Sequence, residues 1–193
     1  QTFHWAASVV SFYGRNGSRQ SIGQRSAPIR EHGPRCISSG HSLTKARILS
    51  ASGSSVIERL NRPTPRLSAG VALRGQASAC VDVSDGLVAD LGHICNSSGV
   101  AAEIDAALLP RSSALMALYD EAAALQCALG GGDDYELCFT VPAARVADVQ
   151  ADLSRLGCGA TRIGRIVEGA GVRVRGLDGE WMNTDRPGWE HFA

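Results

Sequence analysis

The run SACVDVSDGLVADLGHICNSSG, residues 78–99, commits this part of the chain to a strand that turns directly into a helix. Residues 77–83 read as a strand with a largely apolar pattern. Beyond the turn, Leu87, Leu91, Ile94 and Cys95 recur at i, i+4, i+7 and i+8, which predicts an amphipathic helix over 86–98 that stops near Gly99. A helix with one apolar stripe must bury it against another layer, so a sheet covered by helices is the expected surrounding.

The remaining sequence supplies that sheet. VAAEI reads as a second strand, residues 112–125 as a helix rich in Ala and Leu, and YELCFTV, residues 135–141, as a strand by its aromatic and β-branched content. VPAARVADVQADLSRLG reads as a helix with Pro142 in its first turn and Gly157 as its stop. TRIGRIVEG and GVRVRG then read as strands around a turn at residues 169–171. Upstream, ERLNRPTPRL ends a helical stretch in Pro-x-Pro, which forces extended backbone. The expected fold class is α+β, with a mixed sheet and packed helices. Aromatic residues make up only 5% of the chain, so the core is built from Leu, Val, Ile and Ala. The 193 residues suffice for such a core without disulfides. Six cysteines without a C-x-x-C pair are expected to be buried thiols.

Charge divides the chain unevenly. Residues 1–57 hold seven Lys or Arg against one acid, Glu31, whereas residues 58–193 hold twelve against eighteen. The first part is dominated by Ser, Gly and Arg, with no lasting apolar period beyond a short patch near its start. It is expected to lack a stable core, either as a disordered segment or as sequence translated out of frame. Its arginines are diluted by Ser and Gly rather than clustered, which argues against nucleic acid as a partner. No apolar run reaches the roughly 18 residues that a membrane span needs. The N-terminal apolar patch has neither a preceding basic region nor a cleavage site, so a cytoplasmic protein without a signal peptide is expected.

Three places carry candidate chemistry. Asp82 and Ser84 point the same way along an extended segment, and Asp85 begins the turn into the helix. Carboxylates here can hold Mg²⁺, and a hydroxyl beside helix N-terminal amides can meet a phosphate. On spacing alone, a cap of the helix by Ser84 or Asp85 is the preferred reading, although a cap leaves Asp82 unexplained. The second place is ALGGGDDYELCF, where three glycines allow close backbone approach or positive φ ahead of Asp133, Asp134 and Glu136. The third is the C-terminal RPGWEHFA, whose Trp189 can stack on a heteroaromatic ring or pack the tail. His93 is expected to be structural, and neither it nor His191 has a recognisable nucleophile partner.

Taken in order, RPTPR, VDVSDGLVADL, GGDDYEL, IGRI and GWEHF resemble the C-terminal half of the thiamine-monophosphate kinase family, over about residues 58–193. That family belongs with aminoimidazole ribonucleotide synthetase-like proteins. The resemblance implies their C-terminal-domain fold and transfer of the γ-phosphoryl of ATP to thiamine monophosphate with Mg²⁺. It implies Mg²⁺ ligands at Asp82 and Asp85, an ATP contact at Ser84, and thiamine phosphate contacts at Asp133 and Trp189. The family usually has Glu where this chain has Asp133, one methylene shorter. It also implies a homodimer, formed by an N-terminal domain that supplies most of the acidic ligands and that residues 1–57 do not resemble. Without that domain the kinase activity of this chain is expected to be impaired; the alternative is a non-catalytic fragment that keeps only the C-terminal fold.

Overall fold

The structure is a computed structural model that describes residues 7–12 and 51–182. Six strands form one sheet: β1 (Ala7–Phe12), β2 (Ala79–Val83), β3 (Ala101–Asp105), β4 (Glu136–Pro142), β5 (Ala160–Val167) and β6 (Gly171–Arg175), in the order β2-β4-β1-β5-β3-β6. All neighbours are antiparallel except β3 and β6, so the sheet is mixed, as expected. The helices are α1 (Ala51–Asn61), α2 (Leu67–Leu73), α3 (Leu87–Ser98), α4 (Ser113–Leu118), α5 (Glu121–Gly130) and α6 (Val146–Arg155).

Strand β4 shows why both faces of the sheet are covered. Its side chains alternate, and Cys138 joins a core with Leu87, Leu91 and Cys95 of α3 and Leu125 and Leu129 of α5. Phe139 and Val141 enter a second core with Ala69 and Leu73 of α2 and Val149 and Leu153 of α6. A strand buried on both sides reads as a continuous apolar run, which is how LCFTV appears. At the far end of the sheet, Glu103 of β3 lies between Arg165 of β5 and Arg173 of β6, its register partners. It accepts hydrogen bonds from both at 2.8 and 2.5 Å. The bond from Arg165, followed by the charges of both arginines, holds the Glu103 carboxyl below the usual carboxylate range.

Several expectations need correction. The segment 1–57 was expected to lack a stable core beyond one short apolar patch; that patch forms β1, which lies inside the sheet, paired with β4 through Ala7↔Pro142 to Ser11↔Cys138 and with β5 on its other side. The boundary at residue 58 falls within α1. The helix expected over 112–125 is two helices. Ser112 caps α4 by accepting from the Leu115 amide at 3.1 Å, and Asp120 caps α5 by accepting from the Ala123 amide at 2.8 Å. Pro142 ends β4 rather than opening a helix, and a 3₁₀ turn at Ala143–Arg145 precedes α6. The stops at Gly99 and Gly157 are as expected, with φ of 64° and 72°. Cys95, Cys138 and Cys158 are buried free thiols, but Cys80 is exposed and Cys127 is disulfide-bonded.

The cap at Asp120 gives a first prediction. Asp120→Ala removes the acceptor for the Ala123 amide and is expected to cost about 1 kcal/mol. Urea unfolding checks this, with the midpoint lowered and the slope unchanged.

Candidate functional site

The two acidic motifs, about fifty residues apart in sequence, meet at one end of the sheet. Strand β2 is an edge strand, paired with β4 in the register Asp82↔Leu137 and Val83↔Glu136. This pairing places the end of β2 beside the start of β4, and the loops beyond them come into contact. The Asp133 amide donates to the Ser84 carbonyl at 2.8 Å, and the Tyr135 amide donates to the Val83 carbonyl at 2.9 Å. Asp82, Ser84, Asp85 and Asp133 are thereby brought to the same corner of the molecule.

The glycines serve close approach. A Cβ on Gly132 would lie 2.5 Å from the Ser84 carbonyl oxygen, and one on Gly86 would lie 3.0 Å from Gly130 Cα. In the run 130–132 no glycine has positive φ; beyond it, positive φ falls at Asp133 (64°) and Tyr135 (50°), on either side of Asp134. Side chains other than Gly rarely adopt this region, and residues held there cost on the order of 1–3 kcal/mol each.

Asp82 resolves the puzzle of an acid in an apolar strand. It is exposed on the edge strand, with Val83 buried beside it, so the strand alternates. The capping expectation for Ser84 or Asp85 is overturned: Gly86 occupies the N-cap of α3 with φ of 111°, and no side chain caps it. Instead Asp90, one turn into α3, reaches back and accepts from the Ser84 and Asp85 amides at 2.9 and 3.0 Å. Burial pushes the Asp90 carboxyl above its ordinary value, against the pull of these two amides. The sequence contained Asp90 within VADL but no spacing rule singled it out. Trp189 and His191 lie outside the described residues, and His93 is exposed on α3 rather than packed on its apolar face.

Glu136 has a set of arginine partners. It is buried, and Arg66 of the RPTPR segment donates to it twice, at 2.8 and 2.7 Å, while Arg59 of α1 also donates to it. Arg59 in addition donates to the Asp134 carbonyl at 2.9 Å. RPTPR and YEL are therefore two halves of one buried ion cluster.

The Asp134 carboxyl is pushed up from its ordinary 3.8 to about 7. Burial is the largest cause, opposed by Arg59 and reinforced by Glu136 and Asp133. A carboxyl raised in the fold binds its proton more tightly folded than unfolded. Its contribution to stability is complete below the unfolded value and is lost as pH rises from about 4 to about 7. Asp134→Asn cannot ionise, so its stability relative to the parent chain is expected to rise by on the order of 2–4 kcal/mol across that window. Urea unfolding at pH 4, 6 and 8 checks the trend.

Mg²⁺ prefers hard oxygen ligands and takes one or two carboxylates together with phosphate oxygens and water. Asp82 and Asp85, flanking Ser84, offer donors of that kind, and the exposure of Asp82 leaves its oxygens accessible. Among the described residues, no three His, Cys, Asp or Glu side chains converge as a metal site. The donor chemistry fits Mg²⁺ as part of a ligand set.

Residues 38–176 match the family described as AIR synthase related protein, C-terminal domain, and the chain belongs to that family. The match begins twenty residues before the boundary expected from composition. Within the family, the chain is similar to thiamine-monophosphate kinases. It is 46% identical to the kinase of Salmonella typhimurium strain LT2 over 141 residues, which are 72% of this chain and 42% of that protein. The crystal structure of the thiamine-monophosphate kinase from Stenotrophomonas maltophilia K279a superposes with a TM-score of 0.71 at 38% identity, covering 92% of this chain and 51% of that one. AaThiL complexed with AMPPCP and TMP gives a TM-score of 0.67 at 29% identity, covering 98% of this chain and 52% of that one. The chain thus spans about half the length of the relatives it matches. Among the described residues, no helix is long and apolar enough to cross a membrane.

Proposed function

We propose that this chain is the C-terminal part of a thiamine-monophosphate kinase, acting on ATP and thiamine monophosphate to give ADP and thiamine diphosphate. The observation that carries this reading is the contact between the two motif loops, closed by the hydrogen bond from the Asp133 amide to the Ser84 carbonyl. It sets residues assigned to the nucleotide and residues assigned to the thiamine phosphate side by side. The likeness to AaThiL, solved with a nucleotide analogue and TMP, supports the same reading.

In the reaction, a phosphate oxygen of thiamine monophosphate attacks the γ-phosphorus of ATP, and the bond to the β–γ bridging oxygen breaks to release ADP. Such transfers depend on positioning and charge neutralisation, so no nucleophilic side chain is required. Asp82 and Asp85 would hold Mg²⁺, which supplies the positive charge that offsets the phosphates. Ser84, its amide fixed by Asp90, would contact the nucleotide. Asp133 faces the thiamine phosphate, with a reach one methylene shorter than the Glu expected of the family. The resemblance assigns a further contact with the thiamine phosphate to Trp189. In this reading the protein is cytoplasmic and its full-length form is a homodimer.

A second reading is favoured by one observation, the chain's coverage of only 42% of the Salmonella kinase. In it, the chain keeps the fold but is not a catalyst. Calorimetry with ATP and with thiamine monophosphate, both with Mg²⁺, separates the two, alongside a coupled assay for ADP. The kinase reading expects binding of both ligands, with impaired ADP formation that needs thiamine monophosphate and is lost in Asp82→Ala and Asp85→Ala. Absence of binding and of ADP formation supports the fragment.

A further inference from the structure

We infer that Arg59 is a positioning residue for the Asp133–Asp134–Tyr135 turn, holding it in its left-handed conformation from helix α1. The turn places two residues other than Gly at positive φ, at 64° and 50°, an arrangement that persists only where the surroundings over-determine it. Two of the restraining bonds come from β2 and its following loop: Asp133 amide to Ser84 carbonyl, and Tyr135 amide to Val83 carbonyl. They grip the residues on either side of Asp134 and leave the Asp134 carbonyl between them. That carbonyl is taken by Arg59 at 2.9 Å.

The arginine is itself fixed. The nitrogen that reaches the Asp134 carbonyl also donates to Glu136, whose other bonds come from Arg66. Among the described residues, its second terminal nitrogen, Nη1, is buried without a hydrogen-bond partner. Burying an unsatisfied donor is costly, and a side chain chosen only for the ion pair with Glu136 could avoid it. The geometry is that of an arm braced on Glu136 and closed on the apex of the turn. The charge of Arg59 also acts on the Asp134 carboxyl, opposing the rise caused by burial and by Glu136 and Asp133. That the turn presents Asp133 to a thiamine phosphate rests on the proposed function, whereas the bracing of the turn does not.

The experiment compares the full chain with Arg59→Met and Arg59→Lys by residue-resolved amide exchange and by carboxyl NMR. In Arg59→Met, the amides of Asp133 and Tyr135 are expected to exchange at least about tenfold faster, while those of Phe139 and Val141 in the core of β4 change less than about twofold. The Asp134 titration midpoint is expected to move up by about one pH unit, because the opposing cation is gone. Arg59→Lys keeps one donor nitrogen and the charge, and should restore most of both signals. Unchanged exchange at Asp133 and Tyr135 overturns the inference. So does acceleration spread evenly over the whole chain, because that marks a general loss of stability. Calorimetry with thiamine monophosphate on the same samples tests the substrate reading separately: if the parent chain does not bind it, that reading fails and the result from exchange still stands or falls alone.

Discussion

Glu136→Ala is expected to destabilise the fold by about 3 kcal/mol, a large effect for one exposed-looking acid in a Gly-rich motif. The side chain is 9% exposed and accepts from two arginines whose side chains are 17% and 35% exposed. Removing the carboxylate leaves two cations facing each other in a desolvated space, and breaking a buried pair from one side costs about 3–5 kcal/mol. The partial exposure of Arg59 allows some solvent screening, which places the expectation at the lower end of that range. Arg66→Met should cost less, because Arg59 still pairs with Glu136. Urea unfolding of the two variants tests the order. A loss below 1 kcal/mol in Glu136→Ala would show that the cluster adds little to stability.

The same cluster explains which parts of the fold were legible in the sequence. Local periodicity revealed β2 and α3, because Leu87, Leu91 and Cys95 fall on one stripe and are all buried. It also revealed β4 and β5 by composition, and Gly99 and Gly157 as stops. Helix α2 was not legible, since seven residues after two prolines hold barely two turns, and its Leu67 and Val71 are exposed. Strand β1 was hidden because its short apolar patch stands alone in a polar, Arg-rich context, and its place depends on β4 and β5, more than a hundred residues away.

The candidate site divides in the same way. Asp82, Ser84, Asp85 and Asp133 could be named from local motifs, and their meeting depends on one strand pairing. Asp90 and Arg59 could not be named, because their roles are set by where a turn of helix and a distant helix end arrive in space. Arg59 and Glu136 are 77 residues apart, and no spacing rule connects them. The glycine run was legible as a close approach or as positive φ, and only the structure separates these: the glycines provide the approach, and the strain falls on Asp133 and Tyr135.

Gly132→Ala and Gly92→Ala make the same chemical change and are expected to act with opposite sign. Gly92 lies within α3 at negative φ, and a Cβ there meets nothing within 4 Å. Alanine at a helix-interior site of this kind is expected to stabilise by roughly 0.5–1 kcal/mol, through helix propensity and a less flexible unfolded chain. At Gly132 the added Cβ would sit 2.5 Å from the Ser84 carbonyl oxygen, and backbone cannot swing aside as a side-chain end can. The two loops must separate, which lengthens the bond from the Asp133 amide to Ser84 and costs about 1–3 kcal/mol of overpacking. In the proposed function that bond joins the parts of the site assigned to nucleotide and to thiamine monophosphate, and on that proposal Gly132→Ala should also weaken thiamine monophosphate binding by at least about tenfold, a larger loss than its stability change alone explains. Parallel urea unfolding and calorimetry of the two variants make the comparison. Equal stability in both would remove the case for a backbone contact between the motifs, and full ligand affinity in Gly132→Ala would separate that contact from function.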